Sequence, residues 1–262
     1  VWRVAEDDYI VMPNGVNIDD VAGALERSAP GSVTIAGNRE ETALLAVQGP
    51  EAPDLLDQVT GWRPRRFRVD TVEFGGVSFP AAGTGYTGEP GGELMIPNEH
   101  AEGLMRALLA AGGAPAALGA RDLLRLEMGY PLWGQDLDED TSPLEADLAW
   151  VVEWDHDFVG KKALRRQYRK GVAKSQVAFE MKGRRIPRTG YPLRAGGSVG
   201  TVTSGNFSPI LGRGIGLGYL SPSPVFHRYS QVDGDPDPPL EIEIRGEWEQ
   251  VTLSSTPFIK QG

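Results

Sequence analysis

The sequence of 262 residues contains no cysteine. This absence excludes disulfide bonds, thiolate metal ligands and a cysteine nucleophile. Histidine is scarce as well, because His100, His156 and His227 are widely spaced and form neither an HxH nor an HxxxH pattern. Since a zinc site needs several such ligands grouped together, we expect no metal site in this protein.

Positive charge is also in short supply, with 26 Lys and Arg against 36 Asp and Glu and a net charge of −10. Binding to nucleic acid needs cationic surface that displaces counterions, so we expect no nucleic-acid partner. No apolar run is long enough to span a bilayer, and no signal-peptide pattern is present. We therefore expect no membrane association, and a cytoplasmic location, or the mitochondrial matrix if the source is eukaryotic.

The N-terminal part of the sequence mixes strand and helix patterns, which predicts an α+β fold rather than a doubly wound sheet. Helices are predicted at 97–111 and 118–128, and another from Asp19 to about Pro30 with Asn17 as its N-cap. Strands are predicted at 1–4, 9–12, 32–36 and 43–47, and a strand pair at 63–79 turns at Gly75-Gly76.

The pattern changes near residue 174. From there on, short β-rich runs separated by Gly and Pro follow one another, and no helix pattern remains. This predicts a separate C-terminal β-barrel or sandwich domain, so we divide the chain into domains at 1–173 and 174–262. The proline-rich tract at 221–239 is predicted to be a surface loop.

Two local features bear on function. Glu127 lies at the end of a predicted helix, just before the break at Gly129 and Pro131, where a helix can aim a carboxylate into a cleft; the plainer interpretation is a solvated residue at a helix end. The glycines of GTGYTGEPGG predict a tight turn with positive φ at Gly83, Gly85 and Gly88. This stretch is not a phosphate loop, because no Lys-Ser/Thr follows it.

Several long blocks of the sequence carry specific motifs. The longest is LGARDLLRLEMGYPLWGQDLDEDTSPLEADLAWVVEWDHDFVGKKAL (118–164), and the others are TALLAVQGPEA (42–52), AGTGYTGEPGGELMIP (82–97), VGTVTSGNFSPILGRGIGLGYL (199–220) and EIRGEWEQVTLSSTPFIK (243–260). In this order they resemble the folate-binding aminomethyltransferases, the family of the glycine cleavage T-protein. The resemblance begins partway into the family's sequence, and the chain starts with Val1 instead of Met, so we expect an incomplete or processed form.

The resemblance implies a fold and a reaction. The expected fold is the α+β aminomethyltransferase fold with a C-terminal β-barrel. The expected reaction moves an aminomethyl carbon from the lipoyl arm of the H-protein to tetrahydrofolate, releases ammonia and forms 5,10-methylenetetrahydrofolate. Tetrahydrofolate is then a co-substrate, the lipoylated H-protein is the partner, and no metal is required.

The resemblance also assigns roles to residues. Glu127 matches the family's pterin-binding Glu, whose carboxylate accepts paired N–H donors. Arg245 matches an Arg directed toward the folate, although a surface strand arginine is the plainer interpretation. Tyr86 is predicted to contact the folate or, with equal weight, to belong to the core.

The sequence departs from the family near the catalytic Asp. In VMPNGVNIDDV (11–21), the family's spacing places the catalytic Asp at Asp20 only if one residue is deleted. It places the catalytic Asp at Asp19 only if a further residue is deleted. We take Asp20 as the candidate catalytic residue. An equal alternative is that Asp19 and Asp20 are acids that stabilise the first turn of a helix. Asp147 replaces a family Gly, a change that can alter a tight turn, although Asp tolerates the left-handed conformation moderately well.

Other functions of the same fold stay open on the sequence. One is a folate-dependent demethylase or the folate domain of a dimethylglycine- or sarcosine-oxidising enzyme. Another is a non-enzymatic folate-binding protein of the kind that assists iron–sulfur assembly. Those relatives carry a KGCYxGQE block, and the absence of cysteine ranks this alternative last.

Overall fold

The predicted mixture of helices and strands is present in the computed structural model, which describes residues 1–37, 39–223 and 238–259. The chain forms two units, Val1–Arg121 and Asp122–Lys260, and the division falls inside a helix. The domain boundary at 173 and 174 stays a prediction. Within the described residues, no helix combines the length and the apolar character needed to cross a membrane.

The first unit contains two antiparallel sheets. The strands β1 (Trp2–Arg3) and β2 (Tyr9–Ile10) pair with each other, and a four-stranded sheet has the order β3-β6-β5-β4. Its strands are β3 (Thr42–Gln48), β4 (Val69–Phe74), β5 (Val77–Ala82) and β6 (Gly91–Pro97). The helices are α1 (Ile18–Ser28), α2 (Ala52–Thr60), α3 (Asn98–Ala110) and the start of α4 (Leu118–Glu127).

The core of this unit lies between the four-stranded sheet and the helices α2 and α3. Apolar residues of both helices pack against alternate residues of the strands, because successive side chains of a strand point to opposite faces. The cluster consists of Leu56, Trp62, Val72, Phe79, Ala81, Leu94, Ile96, Leu104 and Leu108. The predicted turn between β4 and β5 is confirmed, since Gly75 and Gly76 have φ of 61° and 83°, as a two-residue hairpin turn requires.

Three local predictions need correction. Residues 32–36 form no strand. Asn17 occupies the N-cap position of α1, but its side chain makes no capping hydrogen bond and its Oδ1 is buried without a partner. The strand β6 was not predicted, because the pair Gly91 and Gly92 resembles a turn. Gly92 is required in this strand because a Cβ atom there would lie only 2.6 Å from the ring of Trp62.

The second unit begins in α4 and contains a 3₁₀ turn (Ala149–Val151), α5 (Lys161–Lys170) and the predicted run of strands. These strands are β7 (Ser175–Glu180), β8 (Pro192–Ala195), β9 (Ser198–Ser208), β10 (Arg213–Ser221), β11 (Leu240–Ile244), β12 (Glu247–Gln250) and β13 (Thr252–Ser254). They form one antiparallel sheet in the order β12-β11-β8-β9-β10-β7-β13. Residues 224–237 of the predicted surface loop lie outside the described residues.

This sheet closes into the predicted barrel because its two edge strands, β12 and β13, are consecutive and separated only by Val251. The first pairs with β11 and the second with β7. The interior is filled by the side chains of Val177, Phe179, Met181, Leu193, Ala195, Val202, Leu220, Leu240, Ile242, Ile244 and Val251. Closure leaves no long unpaired edge among the described strands.

A β-bulge in β9 decides which residues face outward. The pairing with β10 shifts between Leu217↔Ser204 and Gly218↔Val202, so β9 contains one extra residue at this point. Val202 therefore faces the barrel interior, whereas Ser204 and Ser208 face outward. The same outer face carries Leu217, which packs with Leu126 of α4.

Candidate functional site

The candidate site is built where α4 ends. The N–H of Gly129 donates to Leu126 O at 2.8 Å, and the N–H of Tyr130 donates to Arg125 O at 2.9 Å. This is the Schellman pattern of helix termination, and Gly129 has the positive φ of 70° that the pattern uses. A Cβ atom at Gly129 would also lie 2.2 Å from Thr256 Cγ2. The sequence break predicted here is thus confirmed, and it fixes the position of Glu127.

The carboxylate of Glu127 is buried, with 3% of the residue exposed. Its Oε1 accepts a hydrogen bond from Ser208 Oγ at 2.5 Å. The Oγ of Ser208 in turn accepts the N–H of Leu211 at 3.1 Å, so its own proton is left to point at Glu127. Among the described residues no hydrogen bond to Oε2 of Glu127 is found, which leaves that oxygen available to a ligand.

The main chain of Glu127 is held as well. Its carbonyl oxygen accepts the N–H of Phe258 at 2.9 Å and that of Ile259 at 3.3 Å. The ring of Phe258 packs in the same cluster as Leu126. The C-terminal segment and the barrel therefore fix both the backbone and the side chain of Glu127.

Burial raises the pKa of the Glu127 carboxyl above its ordinary value, because desolvation disfavours the charged form. The hydrogen bond from Ser208 opposes this shift. A partner that donates N–H groups to the carboxylate would stabilise the charged form further. The interpretation of Glu127 as a solvated residue at a helix end is therefore wrong.

A buried ion pair between Arg125 and Asp136 stabilises the loop next to Glu127. The guanidinium of Arg125 donates to Asp136 Oδ2 at 2.6 Å, to Ser204 Oγ at 2.7 Å and to Asp122 Oδ1 at 2.7 Å. Asp136 also accepts the N–H of Leu132 at 2.9 Å. These bonds attach the loop that follows Glu127 to the side chain of Arg125, and they connect that side chain to the barrel strand β9.

The pKa of Arg125 reflects this network. Burial by itself would lower the pKa, but the charge of Asp136 and the hydrogen bond to Asp122 outweigh it and raise the value. Tyr219 borders the same region, since its hydroxyl donates to Asp136 O at 2.9 Å. Burial and the charge of Asp136 raise the pKa of Tyr219, so this hydroxyl stays protonated.

Tyr86 lies half-buried in the loop between β5 and β6, with the guanidinium carbon of Arg121 4.9 Å from its ring centroid. The loop is held by Gln48, whose Nε2 donates to Thr84 O at 3.2 Å. The expectation of positive φ is correct for Gly88 (φ 78°) and wrong for Gly83 and Gly85. Those two glycines are needed for close approach, because Cβ atoms there would lie 2.1 Å from Arg65 O and 1.7 Å from Gln48 Oε1.

The remaining candidates are exposed. Asp20 and Asp19 lie in the first turn of α1, and Asp19 is 3.5 Å from Arg39. Arg245 lies in the turn between β11 and β12 with a φ of 56°. No contact between Arg245 and Glu127 is found in the described part of the chain. The roles of Asp20, Arg245, Tyr86 and Glu127 stay predictions. Asp147 has a φ of 58°, a left-handed conformation that Asp tolerates.

The acidic loop after α4 contains many carboxylates, yet within residues 1–37, 39–223 and 238–259 no group of three His, Asp or Glu side chains is arranged to hold a metal ion. Asp138 instead accepts a hydrogen bond from Thr141 Oγ1 at 2.5 Å. That bond lowers the pKa of Asp138, with smaller help from the charge of Lys174. Asp138 therefore orders the loop itself.

Comparison with known families agrees with this architecture. Residues 1–156 match the model of the GCVT N-terminal domain, and residues 174–260 match that of the glycine cleavage T-protein C-terminal barrel domain. The chain belongs to the glycine cleavage T-protein family. The predicted resemblance and the α+β fold with its C-terminal barrel are thereby confirmed.

Individual relatives of the T-protein family support the assignment. An aminomethyltransferase of Rubrobacter xylanophilus is 45% identical over 82% of this chain and 60% of its own length. Those of Thermus thermophilus and Shouchella clausii are 39% and 40% identical over 99% and 100% of this chain, and 71% and 72% of their own lengths. The chain thus spans only part of the relatives that it matches.

A solved T-protein has the same fold. The crystal structure of the glycine cleavage system aminomethyltransferase T from Bartonella henselae superimposes with a TM-score of 0.77 at 30% identity. The match covers 93% of this chain and 66% of that protein. The mixed helices and sheets and the barrel are therefore features that the chain shares with the T-protein family.

Sequence reasoning missed several residues of the site. Ser208 lies in the SGNFSP block that carried the resemblance, but nothing in the pattern showed that its hydroxyl meets Glu127. Phe258 and Ile259 act through backbone N–H groups, which leave no side-chain signature. The partnership of Arg125 with Asp136 was hidden as well, because both residues look like ordinary surface charges in the sequence.

Proposed function

We propose that this protein is a tetrahydrofolate-dependent aminomethyltransferase of the glycine cleavage system. The observation that carries the proposal is the buried carboxylate of Glu127, held through one oxygen by Ser208 and offering the other. A carboxylate in this state suits the amino-pyrimidine edge of a pterin, which presents adjacent N–H donors. Membership of the T-protein family supports the assignment.

The proposed reaction exchanges two bonds on one carbon. Tetrahydrofolate N5 attacks the aminomethyl carbon on the lipoyl sulfur, and ammonia leaves. N10 then bonds to the same carbon and the sulfur departs as the dihydrolipoyl thiol. The protons lost from N5 and N10 go to the departing ammonia and sulfur, so that 5,10-methylenetetrahydrofolate forms without an oxidant or a metal.

Little covalent work is required of the protein in this reaction. Its residues must hold the pterin, orient N5 toward the carbon and exclude water, which would release formaldehyde. Glu127 is the proposed anchor for the pterin, and Tyr86 and Arg245 are further candidates for folate contact. Asp20 is the proposed catalytic carboxylate.

The test is a transfer assay with the complete protein. Lipoylated H-protein carrying the aminomethyl group and tetrahydrofolate are mixed with the protein, and methylenetetrahydrofolate and ammonia are measured together. We expect equal amounts of both products, and dependence on both substrates. Folate-dependent release of formaldehyde from methylated glycines, without any need for H-protein, would contradict the proposal and favour a demethylase.

A further inference from the structure

Helix α5 carries charge of one sign only. Its sequence is KKALRRQYRK, and its charged residues are Lys161, Lys162, Arg165, Arg166, Arg169 and Lys170. No residue of α5 is buried. The chain as a whole has a net charge of −10, so this helix is a local reversal of the protein's charge.

Most of this positive charge has no internal partner. Lys161 Nζ bonds to Asp157 at 3.1 Å and to the carbonyl of His156 at 2.7 Å. Arg165 donates to the carbonyl of Trp154 at 3.4 Å. The other cations of α5 form no ion pair with any residue that the structure describes. The electrostatic field of these cations therefore extends into the solvent and acts on any molecule that approaches α5.

A hollow of about 330 Å³ lies beside the helix. It is lined by Trp154, Arg165, Tyr168 and Arg169. The rings of Trp154 and Tyr168 meet at 5.8 Å between centroids, yet Tyr168 remains 70% exposed. Trp, Tyr and Arg are the residues that most often dominate binding energy at protein interfaces.

We propose that α5 and this hollow form the docking surface for an acidic face of the lipoyl-carrying H-protein. The inference rests on the proposed function, which requires a carrier protein to dock and leave in every catalytic cycle. Opposite charge accelerates such encounters and sets their orientation. The hollow then accepts one side chain of the carrier, while the cations around it steer the approach.

Other polyanions fit this surface less well. A nucleic acid would be repelled by the net charge of −10 on the chain. A membrane-surface helix needs a continuous apolar face, and α5 offers only Ala163, Leu164 and Tyr168. An acidic patch on a partner protein is small enough to contact the basic helix α5 without contacting the acidic rest of this protein's surface.

The test measures binding of lipoylated H-protein to the complete protein at low salt. We expect Arg169→Glu to raise the Kd by about tenfold or more, and Tyr168→Ala to raise it severalfold. The matched control is Arg106→Glu, which reverses an exposed arginine on α3 and makes the same change of net charge. Circular dichroism of each variant checks that α5 still folds.

The outcomes separate the two proposals. A Kd for H-protein that changes equally in Arg169→Glu and Arg106→Glu overturns the docking surface. Weaker binding of duplex DNA or of anionic vesicles in Arg169→Glu, with H-protein binding unchanged, overturns it too. Tetrahydrofolate affinity, measured separately by calorimetry, should be the same in all variants. A wild type that binds H-protein through α5 but transfers nothing to tetrahydrofolate overturns the proposed function alone.

Discussion

Glu127 combines burial, a single hydrogen bond and a raised pKa. We expect Glu127→Ala to weaken tetrahydrofolate binding by several-fold to hundreds-fold, since loss of a charge-assisted pair costs about 1.5–3 kcal/mol. Glu127→Gln should be intermediate, because the amide keeps one acceptor and adds a donor. Titration calorimetry measures both, and unchanged affinity in both variants would remove Glu127 from the site.

Ser208 is expected to control the ionisation of Glu127. Its hydrogen bond lowers a pKa that burial raises, so Ser208→Ala should raise the pKa of Glu127 further. If Glu127 anchors the pterin, binding needs the ionised carboxylate, and folate affinity falls as the pH drops through this pKa. In Ser208→Ala the loss should begin at a higher pH, measured as Kd between about pH 8 and pH 5.

Two variants serve as controls for Ser208. Ser208→Thr keeps the hydroxyl and should restore most of the normal pH profile. Ser198→Ala removes a buried hydroxyl at the opposite end of β9 and should leave the profile unchanged. A profile that is identical in Ser208→Ala and the wild type would show that the hydrogen bond does not tune Glu127.

Asp20 and Asp19 can be separated by parallel substitutions. If Asp20 is catalytic, Asp20→Asn should reduce turnover strongly while Asp19→Asn does not. Both residues lie in the first turn of α1, where acids stabilise the helix by about 0.3–1 kcal/mol. Normal turnover with a slightly lower melting temperature in both variants would make them helix-start acids only.

At the scale of elements, α4 and the loop that follows it depend on the Arg125–Asp136 pair. Asp136→Ala removes the fully buried partner of Arg125 and leaves only the partly exposed Asp122 to compensate its charge, so it should lower the free energy of unfolding by about 3 kcal/mol. Denaturant unfolding measures this change. The control is Glu102→Ala, which breaks the exposed pair with Arg106 and should cost less than about 1 kcal/mol. Equal effects in the two variants would contradict the structural role of the buried pair.

The elements themselves were largely predictable. The helices α3 and α4 followed from their apolar spacing, and the β4–β5 hairpin followed from its Gly-Gly turn. The strand β6 was not predictable from its local pattern, because its glycines are required by residues far away in the sequence. A Cβ atom at Gly92 would clash with the ring of Trp62, and one at Gly91 would clash with Val47 O. The strand predicted at 32–36 is absent for a different reason. Its alternating pattern is present in the sequence, but no strand of the described residues pairs with it.

At the scale of the whole molecule, the distribution of charge bears directly on folate binding. Folate's glutamate tail is anionic, and a chain with a net charge of −10 repels it unless positive charge lies nearby. If Arg245 supplies that charge, Arg245→Ala should weaken binding of tetrahydrofolate with a glutamate tail and leave binding of a tail-free pterin unchanged. Comparing the two affinities by calorimetry provides the check. Equal affinities in wild type and variant would show that the transfer of this residue from the family pattern is wrong.

The sequence by itself determined the family, the α+β class and the C-terminal barrel, because these depend on periodicity and on long motifs that are written along the chain. It also placed Glu127 at a helix end before Gly129 and Pro131, but its predicted role in binding came from the family resemblance.

Only the tertiary structure decided how Glu127 is held. The bulge in β9 turns Ser204 and Ser208 outward, and barrel closure supports the strand that carries them. The pKa of the carboxyl follows from that burial and from one hydroxyl that is distant in sequence. Desolvation and hydrogen bonding depend on distances between atoms, and those distances are set when the chain folds.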